Sequence, residues 1–254
     1  KRVVVVGGGN VAMDCARTAM RANAETVSIV YRRRQEDMTA LPAEVEGAIA
    51  EGIELVTLKA PLRVEADAEG KACALWVQPQ IIGPVKSGRP APRKANKPEE
   101  RVECDIVLVA IGQDIVSQPF ADFGMAVNRG RIVADKGGAV NLVGVYAGGD
   151  CVSGPATVIK AIAAGKAAAA NIDEYLGYHH PISCDVEIPE PMLNDKVPCG
   201  RVNLQEVEAW ARKTNFEGIE LPMSCEEAVQ EASRCLRCDH HGCGTLRGGR
   251  EFEW

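Results

Sequence analysis

The chain has 254 residues, a formal net charge of −6, 46% hydrophobic residues and only 4% aromatic ones. That is apolar material for one large domain or two modest ones, with aliphatic and alanine-rich cores. The acidic balance argues against nucleic acid as a partner, and no apolar run approaches the ~20 residues of a membrane span.

In chain order, the first element lies in "KRVVVVGGGNVAMD". Val3 to Val6 are β-branched and apolar, which suits a strand buried on both faces of a parallel sheet. Gly7, Gly9 and Ala12 then make a G-x-G-x-x-A pattern, and from Asn10 the apolar spacing of Val11, Cys15, Thr18, Ala19 and Ala22 predicts a helix. A second strand follows at Thr26 to Tyr31. In such a turn the first glycine permits the tight bend, the second lets a pyrophosphate approach the backbone, and the small third residue lets helix and strand pack closely. Phosphates then meet free N–H groups at the positive end of the helix dipole. Gly7, Gly8, Gly9, Asn10 and Val11 are therefore candidate dinucleotide contacts; a plain tight turn without ligand is the alternative. At the end of the second strand an NAD site carries Asp or Glu for the ribose 2′-hydroxyl. Here stand Arg32, Arg33 and Arg34, whose guanidinium forks match a phosphate. In an acidic chain this favours NADP(H), against the alternative of a solvated basic loop.

A helix in "PAEVEGAIAEG" and a strand at Ile53 to Leu58 complete a parallel βαβαβ unit with right-handed crossovers. Short antiparallel meander strands are expected around the turn Glu69-Gly70, then an exposed loop in the Pro- and Lys/Arg-rich "KSGRPAPRKANKPEERVE", then a buried strand from Asp105 to Ala110 stopped by Gly112. "GRIVAD" and "VGVYAGGD" read as short strands, and "GPATVIKAIAAGKAAAANIDEYLG" as a long helix entered at Gly154-Pro155. Beyond Pro181 the proline-punctuated chain reads as extended, followed by a helix from Ser224 with Ser224 and Glu227 as a capping box. The expected class is α/β: a Rossmann-like NADPH-binding domain with parallel sheet and β-meander over residues 1–112, a second region over 113–180, and an extended and helical tail over 181–254.

Three stretches resemble one family: "GGGNVAMDCARTA" with "VYRRRQEDMTALPAEVEGAIAEGIEL", then "DIVLVAIGQ", then "VYAGGDCVSGPATVIKAIAAGKAAA". They cover most of residues 1–176 and are similar to the small (β) subunit of NADPH-dependent glutamate synthase and its glutathione-reductase-like flavin oxidoreductase relatives. The resemblance implies two cofactors, NADPH and FAD, with hydride passing from NADPH to FAD and on to a partner acceptor. The cofactors carry that chemistry, so no catalytic side chain is assigned. It implies an NADPH domain inserted into an FAD domain, with Ala110, Ile111 and Gly112 on the return strand and residues 113–180 as the C-terminal half of the FAD domain. Gly149 and Asp150 of "AGGD" would then meet the flavin's ribityl chain. The helix after Gly154 would aim its N-terminus at the flavin ring, with Ala156 and Thr157 nearest and its dipole favouring charge on reduced flavin. Two departures stand out: Gln35 where the family commonly has Arg, and Thr39 where it has Pro, leaving Arg34 to replace the absent arginine. The family order puts an FAD-binding half first, and only one glycine-rich βα turn is visible. The sequence therefore reads as a piece of a longer protein, inactive alone, whose partner is an N-terminal FAD/Fe–S half or a large catalytic subunit. The apolar face of a half-domain would be covered by the tail or by a second copy in a homodimer. The rival is a module that holds dinucleotide without turnover, in which "AGGD…GPAT" has no evident use.

Cys15, Cys73 and Cys104 lack a C-x-x-C partner, Cys151 reads as a packed small residue, and His179 and His180 as solvated. Ten scattered cysteines beside this cofactor chemistry read as mostly reduced, in a cytoplasmic protein. Cys235, Cys238 and Cys243 are spaced C-x2-C-x4-C, open to a thiol pair or a zinc site with His240 or His241. The phrase "EASRCLRC" also resembles the family's iron–sulfur segment, although a cluster normally takes four cysteines and only Cys225 or Cys199 folding back would supply the fourth. The expectation is a metal-free tail whose cysteines ligate only in a full assembly.

Overall fold

The computed structural model describes residues 1–86, 88–180 and 199–235. They fall into two compact units: Lys1–Gly112 with Val202–Ala228, and the described residues of Gln113–Arg201 with those from Val229 to Cys235. The first unit contains β1 (Arg2–Val6), α1 (Asn10–Arg21), β2 (Thr26–Tyr31), α2 (Pro42–Ala50), β3 (Glu54–Thr57), β4 (Lys59–Ala66), β5 (Ala72–Lys86), β6 (Arg89–Lys94), β7 (Glu100–Glu103) and β8 (Ile106–Val109). A parallel sheet runs in the order β3-β2-β1-β8, with Val3 to Val6 paired to Val27 to Val30 on one side and Ile106 to Val109 on the other.

The valines of β1 divide by parity, as a pleated strand demands. Val3 and Val5 pack under the helices against Met13, Ala16, Val45 and Ala48. Val4 and Val6 pack on the opposite face against Leu75 and Val77 of the antiparallel sheet and against Cys104, just after β7. The unit is thus three layers, helices on parallel sheet on meander, which explains why β1 is apolar at every position.

The meander is larger than expected. β5 pairs antiparallel with β4 and β7 along its first part and with β6 along its last. The basic, proline-rich stretch read as an exposed loop therefore supplies two strands. Its prolines are tolerated because β6 is an edge strand, where a residue without N–H loses no ladder bond on its open side. The strand expected to reach Leu58 stops at Thr57, because Leu58 takes φ +56 and turns the chain into β4.

The second unit contains α3 (Gln118–Asp122), a two-residue hairpin β9 (Val127–Asn128) and β10 (Arg131–Ile132), α4 (Asp150–Ser153) and α5 (Val158–Tyr175). "VGVYAGGD" is not a strand; a single bridge joins Tyr146 to Ala139. The alanine-rich α5 lies close on glycine-rich backbone: a Cβ at Gly148 or Gly138 would come within 3.2 Å of Ala164 or Ala168, and one at Gly144 within 3.1 Å of Tyr175 Oη. These positions share one helical face, so small residues here serve close approach. Elsewhere α5 is exposed, and Ile132 is the single buried hydrophobic of the described second unit. Among the described residues no helix is long and apolar enough to cross a membrane.

Val202–Ala228, read from the sequence as tail, belongs to the first unit. It carries α6 (Ala209–Arg212) and the start of α7 (Cys225–Ser233), whose capping box forms as expected: Glu227 N–H donates to Ser224 Oγ at 3.1 Å and Ser224 N–H to Glu227 Oε2 at 2.8 Å. What ties α6 in place is Glu51, a fully buried carboxylate just beyond α2. Arg21 donates to both its oxygens at 2.7 and 3.1 Å, Arg17 to Oε1 at 2.8 and 3.1 Å, and Arg212 to Oε1 at 2.9 Å. Arg17 also bonds Glu44, and Arg212 bonds Glu206, so three guanidinium groups face three carboxylates. Burial alone would raise the Glu51 pKa, but hydrogen bonds from Arg21 and Arg17 outweigh it and hold it at about 2.

Because Glu51 ionises more readily folded than unfolded (about 4.3), its contribution is full above about pH 4.5 and is lost as pH falls toward 2. It amounts to about 3 kcal/mol. We expect Glu51→Gln to lower stability in urea by about 3–5 kcal/mol at pH 7, since it leaves buried guanidinium charge uncompensated. The gap between wild type and variant should narrow below pH 4.5; a constant gap across that range would count against this account.

Candidate functional site

An open cleft of about 630 Å3 lies at the carboxyl ends of β1, β2 and β8. That edge is where open α/β sheets bind ligands. Its floor is the glycine turn, and each glycine has a different neighbour. A Cβ on Gly7 would meet Ala110 O at 2.3 Å, and one on Gly8 would meet the Tyr31 ring at 2.5 Å. One on Gly9 meets only Thr39 Oγ1, at 3.4 Å, so the backbone there is open to the cleft. Ala12, the small residue of the pattern, is fully buried beside Gly7. Asn10 and Val11 line the cleft at the start of α1, where first-turn N–H groups have no intrahelical acceptor. The Asn10 side chain is already engaged, accepting from Leu41 N–H at 2.9 Å.

The arginine loop is pinned over this turn. Thr39 and Ala40 N–H both donate to Gly8 O, and Tyr31 Oη donates to Asp37 O at 2.9 Å. The three arginines are not equivalent. Arg32 and Arg33 line the cleft; Arg34 does not. Arg34 turns back on Asp37, with Nε to Oδ2 at 2.9 Å and Nη2 to Oδ1 at 3.1 Å, and the hydrogen bond from Arg34 pulls the Asp37 pKa below the usual carboxylate range. Arg33 Nε donates to Pro90 O at 3.2 Å, and Arg32 is exposed. Ala110, Ile111 and Gly112 form the opposite lip, Ile111 largely exposed and Gly112 at φ +106. Sequence reasoning missed Tyr31, Thr39, Ala60, Pro61 and Arg89, all in the lining. The last three come from β4 and β6, and only long-range pairing brings them there. No lining residue is Asp or Glu.

In the second unit Gly149 has φ +75 and Asp150, exposed, opens α4. Ala156 and Thr157 are exposed, and Thr157 Oγ1 caps α5 by accepting from Lys160 N–H at 3.4 Å. Cys15, Cys73, Cys104, Cys151, Cys199 and Cys225 form no disulfide among the described residues; burial pushes the Cys73 and Cys104 pKa values up, away from thiolate reactivity. His180 is exposed and pairs with Asp173 at 2.7 Å. Cys235 is exposed, whereas Cys238 and Cys243 lie outside the described residues. Among the described residues no group of three or more His, Cys, Asp or Glu is placed to hold a metal.

A family model described as pyridine nucleotide-disulphide oxidoreductase matches residues 1–165. The chain is 34% identical to the NADPH-Fe(3+) oxidoreductase subunit beta of Geobacter sulfurreducens, over 94% of this chain and 41% of that protein. It is 37% identical to the NADP(+)-dependent formate dehydrogenase subunit beta of Moorella thermoacetica, over 99% of this chain and 37% of that one. It is 35% identical to the glutamate synthase (NADPH) small chain of Escherichia coli, over 69% and 39%. The chain thus spans about two fifths of the length of these relatives. Among solved structures, thioredoxin reductase of Lactococcus lactis in its FR conformation aligns with a TM-score of 0.56 at 21% identity, over 69% of this chain and 53% of that one. FprA of Mycobacterium tuberculosis, in complex with NADPH, aligns at 0.53 and 18%, over 69% and 53%. At such identities the likeness is one of fold.

The glycine geometry sets an order of tolerance. Gly7→Ala and Gly8→Ala are expected to cost about 1–3 kcal/mol each through overpacking, while Gly9→Ala, which meets no such clash but loses a favourable N-cap residue of α1, should cost less, about 0.5–1 kcal/mol. Thermal or urea unfolding of the three variants checks this, and equal losses at all three would contradict it.

Proposed function

Because this chain belongs to the pyridine nucleotide-disulphide oxidoreductase family, we propose that it forms the NADP(H)-docking portion of a flavin-dependent oxidoreductase, within a first domain of residues 1–112. The observation that carries this reading is a glycine-floored cleft whose end beyond β2 offers arginines and no carboxylate. The dinucleotide's diphosphate lies over Gly9 and the free N–H groups of Asn10 and Val11, where helix dipole and backbone donors favour an anion. Arg32 and Arg33 take the 2′-phosphate, and Ala110, Ile111 and Gly112 border the opposite side. An Asp or Glu here would accept a ribose hydroxyl and repel that phosphate.

In the second unit, residues 113–180, Gly149 and Asp150 would hold the ribityl part of an FAD, and Ala156 and Thr157, just before α5, would border its ring. When bound, the two cofactors supply the redox chemistry, hydride from nicotinamide to flavin and electrons onward; the chain binds and orients them. The names of the matched relatives, two beta subunits and a small chain, support a partner polypeptide that holds the terminal acceptor. In that assembly Cys235, Cys238 and Cys243 become candidate cluster ligands.

The test is a titration of the purified chain with NADPH and NADH. NADPH should bind tighter, and Arg32→Ala should weaken it about 10–100-fold, the ~1.5–3 kcal/mol of one charge-assisted hydrogen bond, with little change for NADH. Gly9→Ala should weaken both nucleotides while shifting the unfolding transition by no more than about 1 kcal/mol. A wild-type chain that does not distinguish the two nucleotides would overturn the NADP(H) reading.

A further inference from the structure

We infer that Arg89, on β6 of the antiparallel sheet, is a third phosphate-binding cation of the cleft and a determinant of its preference for 2′-phosphorylated nucleotides. This rests on the NADP(H) reading above and adds a residue that the arginine triplet does not contain.

The triplet is short of one cation. Both donor positions of the Arg34 fork that face Asp37 are spent on that carboxylate, and Arg34 is absent from the cleft lining. A doubly charged phosphate ester, at about −1.5 to −2 near neutral pH, is then left with Arg32 and with Arg33, whose Nε is bonded to Pro90 O. The same bond ties the arginine loop to the residue beside Arg89. Arg89 lines the cleft together with Arg32 and Arg33, is exposed, and makes no side-chain hydrogen bond or ion pair among the described residues. With no carboxylate in the lining, an anion is the natural counter-charge for the three.

Arg89 opens β6 and pairs with Lys86 across the hairpin. The register of β5 against β6 shifts between Ile82 and Val85, a bulge that re-aims the far end of the hairpin. Gly83 sits in it, and a Cβ there would lie 2.5 Å from Ala91 O, so only glycine lets β6 approach so closely. Pro90 and Pro92 fix φ on the strand that follows. A side chain at the start of such a strand loses little further backbone freedom on binding, which favours affinity.

Arg89→Ala, Arg89→Lys, Arg32→Ala and wild type are titrated with NADPH, NADH and the fragments 2′,5′-ADP and 5′-AMP, with unfolding curves to confirm that the exposed substitutions leave the fold intact. The expected result is a loss of at least 10-fold for NADPH and 2′,5′-ADP in Arg89→Ala, a smaller loss in Arg89→Lys, and less than twofold change for NADH and 5′-AMP. If Arg32→Ala lowers the NADPH preference and Arg89→Ala leaves it unchanged, the NADP(H) reading stands and the Arg89 inference falls. Equal weakening of NADPH and NADH by Arg89→Ala also overturns it, placing Arg89 on the shared diphosphate. If wild type shows no preference, the reading itself falls and takes the inference with it.

Discussion

The first unit depends on one constraint: β1 is covered on both faces. A strand in that position can carry no polar side chain, because neither face reaches water. Val3 to Val6 meet this with four β-branched residues, and their alternation sends two toward the helices and two toward the meander. Everything that defines the cleft follows from where this strand ends. The chain must leave the sheet at Gly7 with Ala110 O so near that no Cβ fits, and it must start a helix at once. The layer that seals the second face of β1 is also the one that brings Ala60, Pro61 and Arg89 to the cleft. A sheet that buries a strand therefore also builds a wall of the site.

How much of this was legible depended on sequence range. The strand, turn and helix of residues 2–21 were readable because each signal is local: β-branching, glycine and a 3.6-residue period. The capping box at Ser224 and Glu227 was readable for the same reason, as were α5 and the parallel β2. β6 and β7 were not, because proline and charge mark a loop in isolation and an edge strand only when a long neighbour such as β5 is present to pair with. The return of Val202–Ala228 to the first unit was likewise hidden. It rests on Arg212 reaching Glu51 across 161 positions, and a lone glutamate in "AIAEG" gives no sign that three arginines will meet on it. Of the residues that line the cleft, the glycines, Arg32 and Arg33 could be singled out from the sequence and Arg89 could not, since 57 residues separate Arg33 from Pro90, whose carbonyl it binds.

The second unit illustrates the limit of composition as a guide. The run "GKAAAA" predicts a helix on propensity alone, and α5 forms. The reason for its alanines, however, is the glycine-rich backbone at Gly138 and Gly148, which lies too close for larger side chains. The same unit leaves Val158, Ile159 and Ile162 at 75%, 79% and 55% exposure. Its helix is thus specified in two ways, by propensity along its length and by closeness on one face, and only the second fixes its rotation about its own axis.

The arginines show why a motif's count of charges differs from its chemistry. Arg17, Arg21 and Arg212 lie within a network of three carboxylates, so the group is neutral and can be buried. Arg32, Arg33 and Arg89 border a cleft with no carboxylate in its lining. Arg34 stands next to the second group in sequence but belongs with the first in kind, because Asp37 neutralises it within one short turn. A bidentate guanidinium–carboxylate pair is geometrically satisfied and offers little to an incoming phosphate, which would have to displace the carboxylate first. The cationic character of the cleft is therefore set by the placement of its acids. Asp37 removes one arginine from the triplet, and with no acid in the lining Arg89 is left available to the cleft.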